Sequence, residues 1–440
     1  MTPTWKVALA SSAGTAIEWY DFLLYGTAAA LVFNRLFFPE FEPPLGTLAA
    51  LATFASGYCA RPLGAALFGH VGDTRGRKAM LIWTLLVMGC ATALIGLLPT
   101  YDQAGVLAPV ALVLLRLVQG VGLGGEWGGA VLMAFEHAPA RRRGFFASWP
   151  QLGAPAGLLL ANVVVLALSS SLSDGDFVAW GWRLPFLSST ILVALGLLLR
   201  RTVEESPAFR QIAHECVPLH QPVIEVLRRH TLSVCLGAST RAAEAGFVVI
   251  FSTFILSYAT QTDGVARSAV LSALVLATSF QLVLVPVAGR LSDRFGRRGI
   301  FMAGAAIATV TAVPACLLID ARQVPLVTLG IVLGMLGPAI IFGPQASLLA
   351  ELFPTRVRSS GTSLGFQIGG VLSGGLSPLI AAVLVGATGN LLMLGVYMLM
   401  VGLISLASVG LATRPSKREE ATRMWMTSAA ETSEIATGSV

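Results

Sequence analysis

Seven ionisable side chains interrupt apolar stretches that are long enough to cross a membrane. They are Glu18, Asp21, Arg61, Arg116, Glu126, Arg241 and Glu244. A charge in the hydrocarbon interior costs at least ~2.5 kcal/mol, so such residues persist only when they pair with each other or line a water-filled cavity. A carboxylate that loses its arginine partner in such a setting takes up a proton. Four acids set against three arginines therefore indicate proton-coupled movement.

The first apolar run, residues 7 to 33, carries a polar stripe. Glu18, Asp21 and Tyr25 occupy positions i, i+3 and i+7, so they share one helix face and are expected to face a cavity. The alternative is an acid that is satisfied by a neighbouring helix and serves packing only.

The arginines lie on three other predicted helices. Arg61, in the middle of the second run, must face the bundle interior, where Gly57 and Gly64 on the same face let a partner helix come close. In the fourth run Arg116 and Trp127 share a face, and the second half begins with Arg241 and Glu244 at i and i+3. The predicted substrate and charge network consists of Arg61, Arg116, Tyr25, Gln119, Trp127, Arg241 and Glu244.

The predicted proton-coupling residues are Asp21, Glu126 and Glu18. Asp21 and Glu126 are mid-span acids within reach of the arginines of the first half, and Asp21 is slightly favoured. Glu18 has a second interpretation, as the structural partner of Arg61 or Arg116.

A polar stretch between the second and third apolar runs, Gly69-His-Val-Gly-Asp73-Thr-Arg-Gly76-Arg77-Lys78, must surface because it cannot lie in hydrocarbon. Residues 289–298 repeat its pattern between two later apolar runs, and residues 136–143 are repeated at 351–358. The chain is therefore a duplication. The predicted conformational gate comprises Gly69, Asp73, Gly76, Arg77, Asp293 and Arg297. The alternative is two unrelated basic turns that only fix orientation.

Composition excludes a soluble globular chain, because 55% of the residues are hydrophobic and only 12% are charged. The 440 residues provide room for about a dozen spanning helices of ~20 residues each. Most of the lysines and arginines that give the net charge of +6 lie in alternate connecting loops and near the termini. This distribution predicts cytoplasmic termini, and attraction to anionic lipid explains the charge without nucleic acid.

The sequence predicts an all-α membrane protein with twelve transmembrane helices in two pseudo-symmetric six-helix bundles. Residues 1–200 are expected to form the N-terminal bundle, 201–230 a cytoplasmic central loop, 231–412 the C-terminal bundle, and 413–440 a disordered cytoplasmic tail. The run from 327 to 349 is expected to be broken by its prolines. Asp102, Asp174 and Asp263 are expected to face outward.

The repeated loop resembles the signature loop of the major facilitator superfamily, and the string Arg116-Leu-Val-Gln119-Gly-Val-Gly resembles the superfamily signature whose arginine is linked to proton movement. Five further strings resemble its metabolite:proton symporter branch. They are Glu18-Trp-Tyr-Asp21-Phe, Ala60-Arg61-Pro62-Leu-Gly64, Gly124-Gly-Glu126-Trp127-Gly-Gly, Gly181-Trp182-Arg183-Leu-Pro185-Phe and Glu204-Glu-Ser206-Pro207. The resemblance implies a monomeric proton symporter of the bacterial plasma membrane, similar to carriers of shikimate, 2-oxoglutarate, citrate and proline/betaine.

Other functions are less compatible with the sequence. No nucleophile, metal set or nucleotide loop is present, so neither an enzyme nor a cofactor is expected, and the five scattered cysteines predict no metal or disulfide. A channel or non-transporting sensor of the same fold is an alternative. The intramembrane arginines suit an organic acid as substrate. Zwitterion carriers of similar sequence, which keep such arginines for internal pairs, are a second alternative.

Overall fold

The computed structural model describes residues 3–201, 222–261, 264–354 and 357–412. Within these ranges the protein is all-helical and contains no β-strand. Twelve long helical segments form two six-helix halves, which confirms the predicted fold class.

In the first half, α1 comprises Pro3–Ala28, a π-helical turn Ala29–Phe33 and Asn34–Phe37; α2 is Pro43–Arg75; α3 is Arg77–Leu97; α4 is Leu107–His137; α5 comprises Arg143–Gln151 and Gly153–Ser171; and α6 is Arg183–Arg201. In the second half, α7 comprises Thr231–Val249, a π-helical turn Ile250–Phe254 and Ile255–Gln261; α8 is Arg267–Phe295; α9 is Arg297–Asp320; α10 is Val324–Glu351; α11 comprises Arg358–Gly369, a π-helical turn Gly370–Gly375 and Ser377–Thr388; and α12 is Leu392–Ala412.

Ten of these segments are long and apolar enough to cross a membrane by length and composition. The other two are α1 and α2, which carry Glu18, Asp21 and Arg61. They exceed the ~20 residues that a span needs.

The duplication is visible in the local geometry of the two halves. Both α1 and α7 contain a five-residue π-helical turn. Gly76, between α2 and α3, has a φ of 96°, and Gly296, between α8 and α9, has a φ of 88°. Because L side chains rarely adopt such angles, each repeated motif needs its glycine at the turn.

The repeated motifs are more helical than their sequence suggests. The expected loop reduces to one residue in each half, since α2 continues to Arg75 and α8 continues to Phe295. The expected break at Pro338 and Pro344 is wrong, because α10 runs through both residues. In a membrane bundle, neighbouring helices and hydroxyl side chains can satisfy the backbone groups that a proline releases.

The close contact of α2 and α4 depends on glycine, as the sequence predicts. A Cβ atom on Gly120 would collide with the carbonyl oxygen of Gly57, and one on Gly124 with that of Arg61. This packing places Arg61 and Arg116 beside the aromatic side chains of α1.

The two halves contact each other along two seams. In one, α8 packs against both parts of α5, and in the other α2 packs against α11. Next to the second seam, the Gln367 side-chain amide of α11 donates a hydrogen bond of 3.1 Å to the carbonyl of Gly124 in α4. The central loop is described only from Pro222, where a short helix runs to Arg229, and the tail lies outside the described residues.

Candidate proton and substrate site

Arg61 is a buried cation that is held by aromatic rings rather than by an acid. Its guanidinium carbon lies 3.9 Å from the ring centroids of both Phe22 and Tyr58. None of its three side-chain nitrogens has a hydrogen-bond partner among the described residues. Cation–π contacts offset part of the desolvation cost, but the five N–H donors of arginine remain available to an anion.

Arg116 contacts the same aromatic cluster but is anchored within the first half. It donates hydrogen bonds to the side chain of Gln119 at 2.9 Å and to the carbonyl of Phe22 at 3.3 Å. Gln119 in turn donates to the Thr92 hydroxyl at 2.7 Å. Tyr25, whose ring faces the Arg116 guanidinium, donates its hydroxyl proton to Thr53.

Asp21 lies near the Thr92 end of this hydrogen-bond chain but is not part of it, because the Thr92 hydroxyl donates to the carbonyl of Met88 at 2.9 Å. The Asp21 carboxyl is fully buried and accepts no hydrogen bond of normal geometry in the described structure, although the hydroxyls of Thr92 and Ser189 lie near it. No arginine forms an ion pair with Asp21 in the described structure. Instead, Thr92 and Gln119 separate Asp21 from Arg116.

Glu18 and Glu126 share one cation that the sequence analysis did not include. Nη2 of Arg200 lies 2.7 Å from Oε1 of Glu18 and 2.8 Å from Oε1 of Glu126. Neither glutamate pairs with Arg61 or Arg116 in the described part of the chain, so the alternative that made Glu18 the structural partner of Arg61 or Arg116 is wrong. The central loop was expected to begin at about Arg200, but α6 continues to Arg201 and buries the Arg200 side chain.

Arg241 and Glu244 form the predicted pair in the second half, with Nη1 and Oε2 separated by 2.7 Å. The guanidinium carbon of Arg241 also lies 3.4 Å from the ring centroid of Phe366. These contacts extend to the first half, because the ring of Phe366 stacks on the ring of Trp127 with 3.4 Å between the two centroids. The Trp127 indole donates to Gln151 at 2.6 Å.

A small cavity lies between the two halves, with about 20 Å³ of space. Its walls include Trp19, Tyr58, Arg241, Glu244 and Gln281. This volume is close to what one water molecule needs, so the central site is occluded in this conformation. Of the predicted network, Arg241 and Glu244 line the cavity, and Arg61 lies behind Tyr58.

The second copy of the repeated motif joins the two halves at one end of the bundle. The carboxylate of Asp293 accepts hydrogen bonds from the backbone amides of Gly144, at 2.7 Å, and Phe145, at 2.8 Å, at the start of α5. Arg297 forms an ion pair with Glu351. In the first copy, a Cβ atom added to Gly69 would meet no other atom within 4 Å. The side chains of Asp73 and Arg77 are outside the part of the chain that the structure describes.

Two signals could have exposed Arg200 in advance. The first half contains three buried acids, Glu18, Asp21 and Glu126, but only two arginines were assigned to it. The apolar run of α6 also leads directly into Arg200, so one more helical turn would have buried its side chain.

Two six-helix halves with buried charges around an occluded central site define a multi-pass membrane transporter. The Major Facilitator Superfamily family profile matches residues 21–378 and, in a second match, residues 234–437. The chain belongs to the Major Facilitator Superfamily. It is therefore a transporter and not an enzyme.

Its relatives are metabolite transporters. The chain is 41% identical to the shikimate transporter of Escherichia coli, over 94% of this chain and 95% of that protein. It is 43% identical to the inner membrane metabolite transport protein YhjE of E. coli, over 86% and 87% of the two chains. Identity to the E. coli proline/betaine transporter is 34%, over 95% and 84%.

Solved structures show the same fold. The proton:xylose symporter XylE bound to 6-bromo-6-deoxy-D-glucose superposes with a TM-score of 0.75, covering 92% of this chain and 94% of that one. At 18% sequence identity, this similarity describes the fold alone.

Proposed function

We propose that the protein takes up a small organic acid together with protons, by alternating access. The main support is the separation of two buried charges. In the described structure no acid lies within ion-pair distance of Arg61, and no cation lies within ion-pair distance of Asp21. A substrate carboxylate would supply the missing anion at Arg61, and a proton would neutralise Asp21.

The hydrogen bonds that lead from Arg116 through Gln119 to Thr92 end near Asp21 and offer a physical route for coupling. Arg61, where a carboxylate would bind, lies close to Arg116, because both guanidinium groups contact the Phe22 ring. Reorientation of Arg116 would alter its hydrogen bond to Gln119, and thereby the Thr92 hydroxyl near Asp21. Substrate binding and proton binding would thus bias the same side chains.

Alternating access requires the halves to separate at one end at a time. The Asp293 contacts to α5 close the end that carries the repeated motifs. From the positive-inside distribution we infer that this end, both termini and the central loop are cytoplasmic. We also propose that the protein is a monomer in the bacterial plasma membrane, as the inner membrane transport protein among its relatives supports. We further propose that the halves extend over residues 1–200 and 231–412, joined by 201–230 and followed by a tail, 413–440.

Purified protein in liposomes tests this function directly. We expect labelled shikimate to accumulate when the external solution is more acidic than the lumen, and accumulation to disappear when a protonophore collapses the gradient. Labelled proline and betaine serve as zwitterionic alternatives. If the uptake of shikimate, proline and betaine is the same with and without the gradient, proton-coupled transport is contradicted.

A zwitterion is the second candidate substrate. The Arg241–Glu244 pair at the cavity wall offers adjacent opposite charges, which could contact both ends of a zwitterion, and the proline/betaine transporter is among the relatives. Gradient-driven accumulation of betaine without shikimate would favour this candidate.

A further inference from the structure

The cluster of Glu18, Glu126 and Arg200 lies inside the first half and outside the central cavity. It joins α1, α4 and α6, and both glutamate side chains are completely buried. The geometry points to one proton that is held between Glu18 and Glu126, which makes the cluster a second proton-binding station besides Asp21. This inference rests on the proposed proton coupling, but it can be tested without transport.

The charge count of the cluster requires a proton. Both Oε1 atoms contact the same nitrogen of Arg200, so the two carboxyl groups are immediate neighbours. If both were ionised, one positive charge would face two negative charges away from solvent. A single proton makes the cluster neutral, and like-charged carboxyls at such a site share a proton for this reason.

The two carboxyl groups differ in their hydrogen bonds. Oε1 of Glu126 accepts from Arg200 and also from the Thr15 hydroxyl, at 3.1 Å. Oε1 of Glu18 accepts from Arg200 alone. The Thr15 hydroxyl therefore makes the two sides of the shared site unequal. Oε2 of each glutamate is buried without a hydrogen-bond partner in the described structure, which leaves acceptors for the shared proton.

A small cavity beside the cluster is lined by one further charged residue and is large enough for a water molecule. A cavity of about 20 Å³, lined by Ser11, Lys78, Glu126 and Arg200, has room for one water molecule. Lys78, at the start of α3, is the other charged residue that lines this cavity. A water molecule in this cavity would lie beside Glu126 and outside the central cavity.

Gly14 holds the geometry of the cluster. A Cβ atom at this position would lie 3.0 Å from both Nε and Nη2 of Arg200. Glycine therefore leaves the space in which the guanidinium reaches both acids.

Infrared spectroscopy of the reconstituted protein at neutral pH tests the inference. A protonated carboxyl group has a carbonyl stretch that is distinct from that of a carboxylate and that shifts in D₂O. The experiment uses the Asp21→Asn background. This substitution removes the carboxyl of Asp21, which has no ion pair in the described structure and could also give a carboxylic acid signal. We expect this variant to keep one deuteration-sensitive carboxylic acid signal. The combinations Asp21→Asn/Glu18→Gln and Asp21→Asn/Glu126→Gln should each lose it, because each leaves one carboxylate for Arg200.

Asp21→Asn/Glu244→Gln is the matched control, and it should keep the signal because Glu244 is already paired with Arg241. Absence of the signal in Asp21→Asn, or its persistence in both glutamate double variants, would overturn the shared proton. The readout needs neither substrate nor gradient. It therefore succeeds or fails independently of proton-driven uptake.

Discussion

Arg61 and Arg116 contact the same phenylalanine ring, but their hydrogen bonding separates their roles. Arg116 is tied to Gln119 and to the carbonyl of Phe22, whereas the donors of Arg61 have no partner in the described structure. An arginine that is already anchored orients its neighbours, and one with available donors can bind a ligand. This distinction rests on side-chain contacts and could not be predicted from the two similar intramembrane positions in the sequence.

Replacement of Arg61 tests its role in carboxylate binding. Arg61→Gln should weaken shikimate binding by about 1.5–3 kcal/mol, the contribution of hydrogen bonds to a charged group. This corresponds to roughly a ten- to hundredfold rise in Kd, measurable by binding to purified protein. Arg183→Lys is the control, because Arg183 binds the carbonyls of Gly96 and Leu98, away from the cavity. A Kd that is unchanged in Arg61→Gln would exclude direct pairing.

Asp21 and Glu126 are tested by amide substitution, since an amide resembles a protonated carboxyl but cannot release a proton. We expect Asp21→Asn or Glu126→Gln to abolish pH-driven uptake and to spare counterflow, with the larger effect at Asp21. Both rates are measured in the same liposomes. If both variants accumulate substrate normally, the coupling residue lies elsewhere, and Glu244 becomes the next candidate.

At the residue scale the sequence predicted which side chains are buried but not how they pair. The Arg241–Glu244 pair was predictable because i, i+3 spacing on one helix fixes the distance. The pairing of Glu18 and Glu126 with Arg200 depends on the packing of α1, α4 and α6, and no local pattern encodes that arrangement.

At the element scale, glycine sets the separation of α2 and α4. Gly124→Ala places a Cβ atom against the carbonyl oxygen of Arg61, so overpacking should destabilise the protein by about 1–3 kcal/mol. A lower Tm of the detergent-solubilised protein measures this effect. Gly386→Ala, at an exposed helical position with open space, is the matched control and should leave Tm unchanged or slightly higher. An equal loss of Tm in both variants would contradict the close contact.

The helices themselves were largely predictable, because long apolar runs have few alternatives in a membrane. The residues at which the helices end were harder to predict. The polar residues of the repeated motifs extend α2 and α8 instead of forming loops, and Pro338 and Pro344 do not interrupt α10. In both cases neighbouring helices supply contacts that a single stretch of sequence does not show.

At the scale of the whole molecule, orientation follows from the distribution of lysine and arginine. We expect a cysteine at Ser173 to react with an impermeant reagent in intact cells, and one at Ser416 to react only after lysis. A cysteine-free background is needed, because Cys59, Cys90 and Cys235 are exposed on the helix surfaces. Labelling at Ser416 but not at Ser173 in intact cells would reverse the proposed topology.

The repeated motifs connect this orientation to the transport cycle. Asp293 holds the second half against the start of α5 through two backbone amides, so its contacts must break when that end opens. Asp73 occupies the same place in the first copy of the motif. We therefore expect both residues to act on the conformational equilibrium and not on the substrate, with the weaker effect at Asp293.

Asp73→Asn and Asp293→Asn test this role. Each should slow transport while leaving the Kd for substrate roughly unchanged, because each removes a charge far from Arg61. For Asp293→Asn, spin labels placed on α5 and α8 at the cytoplasmic end should report a larger population of long distances than in the unmodified carrier, since a neutral amide holds the two backbone N–H groups less strongly. A large loss of binding with normal turnover would contradict a role in gating and would place these residues in substrate recognition instead.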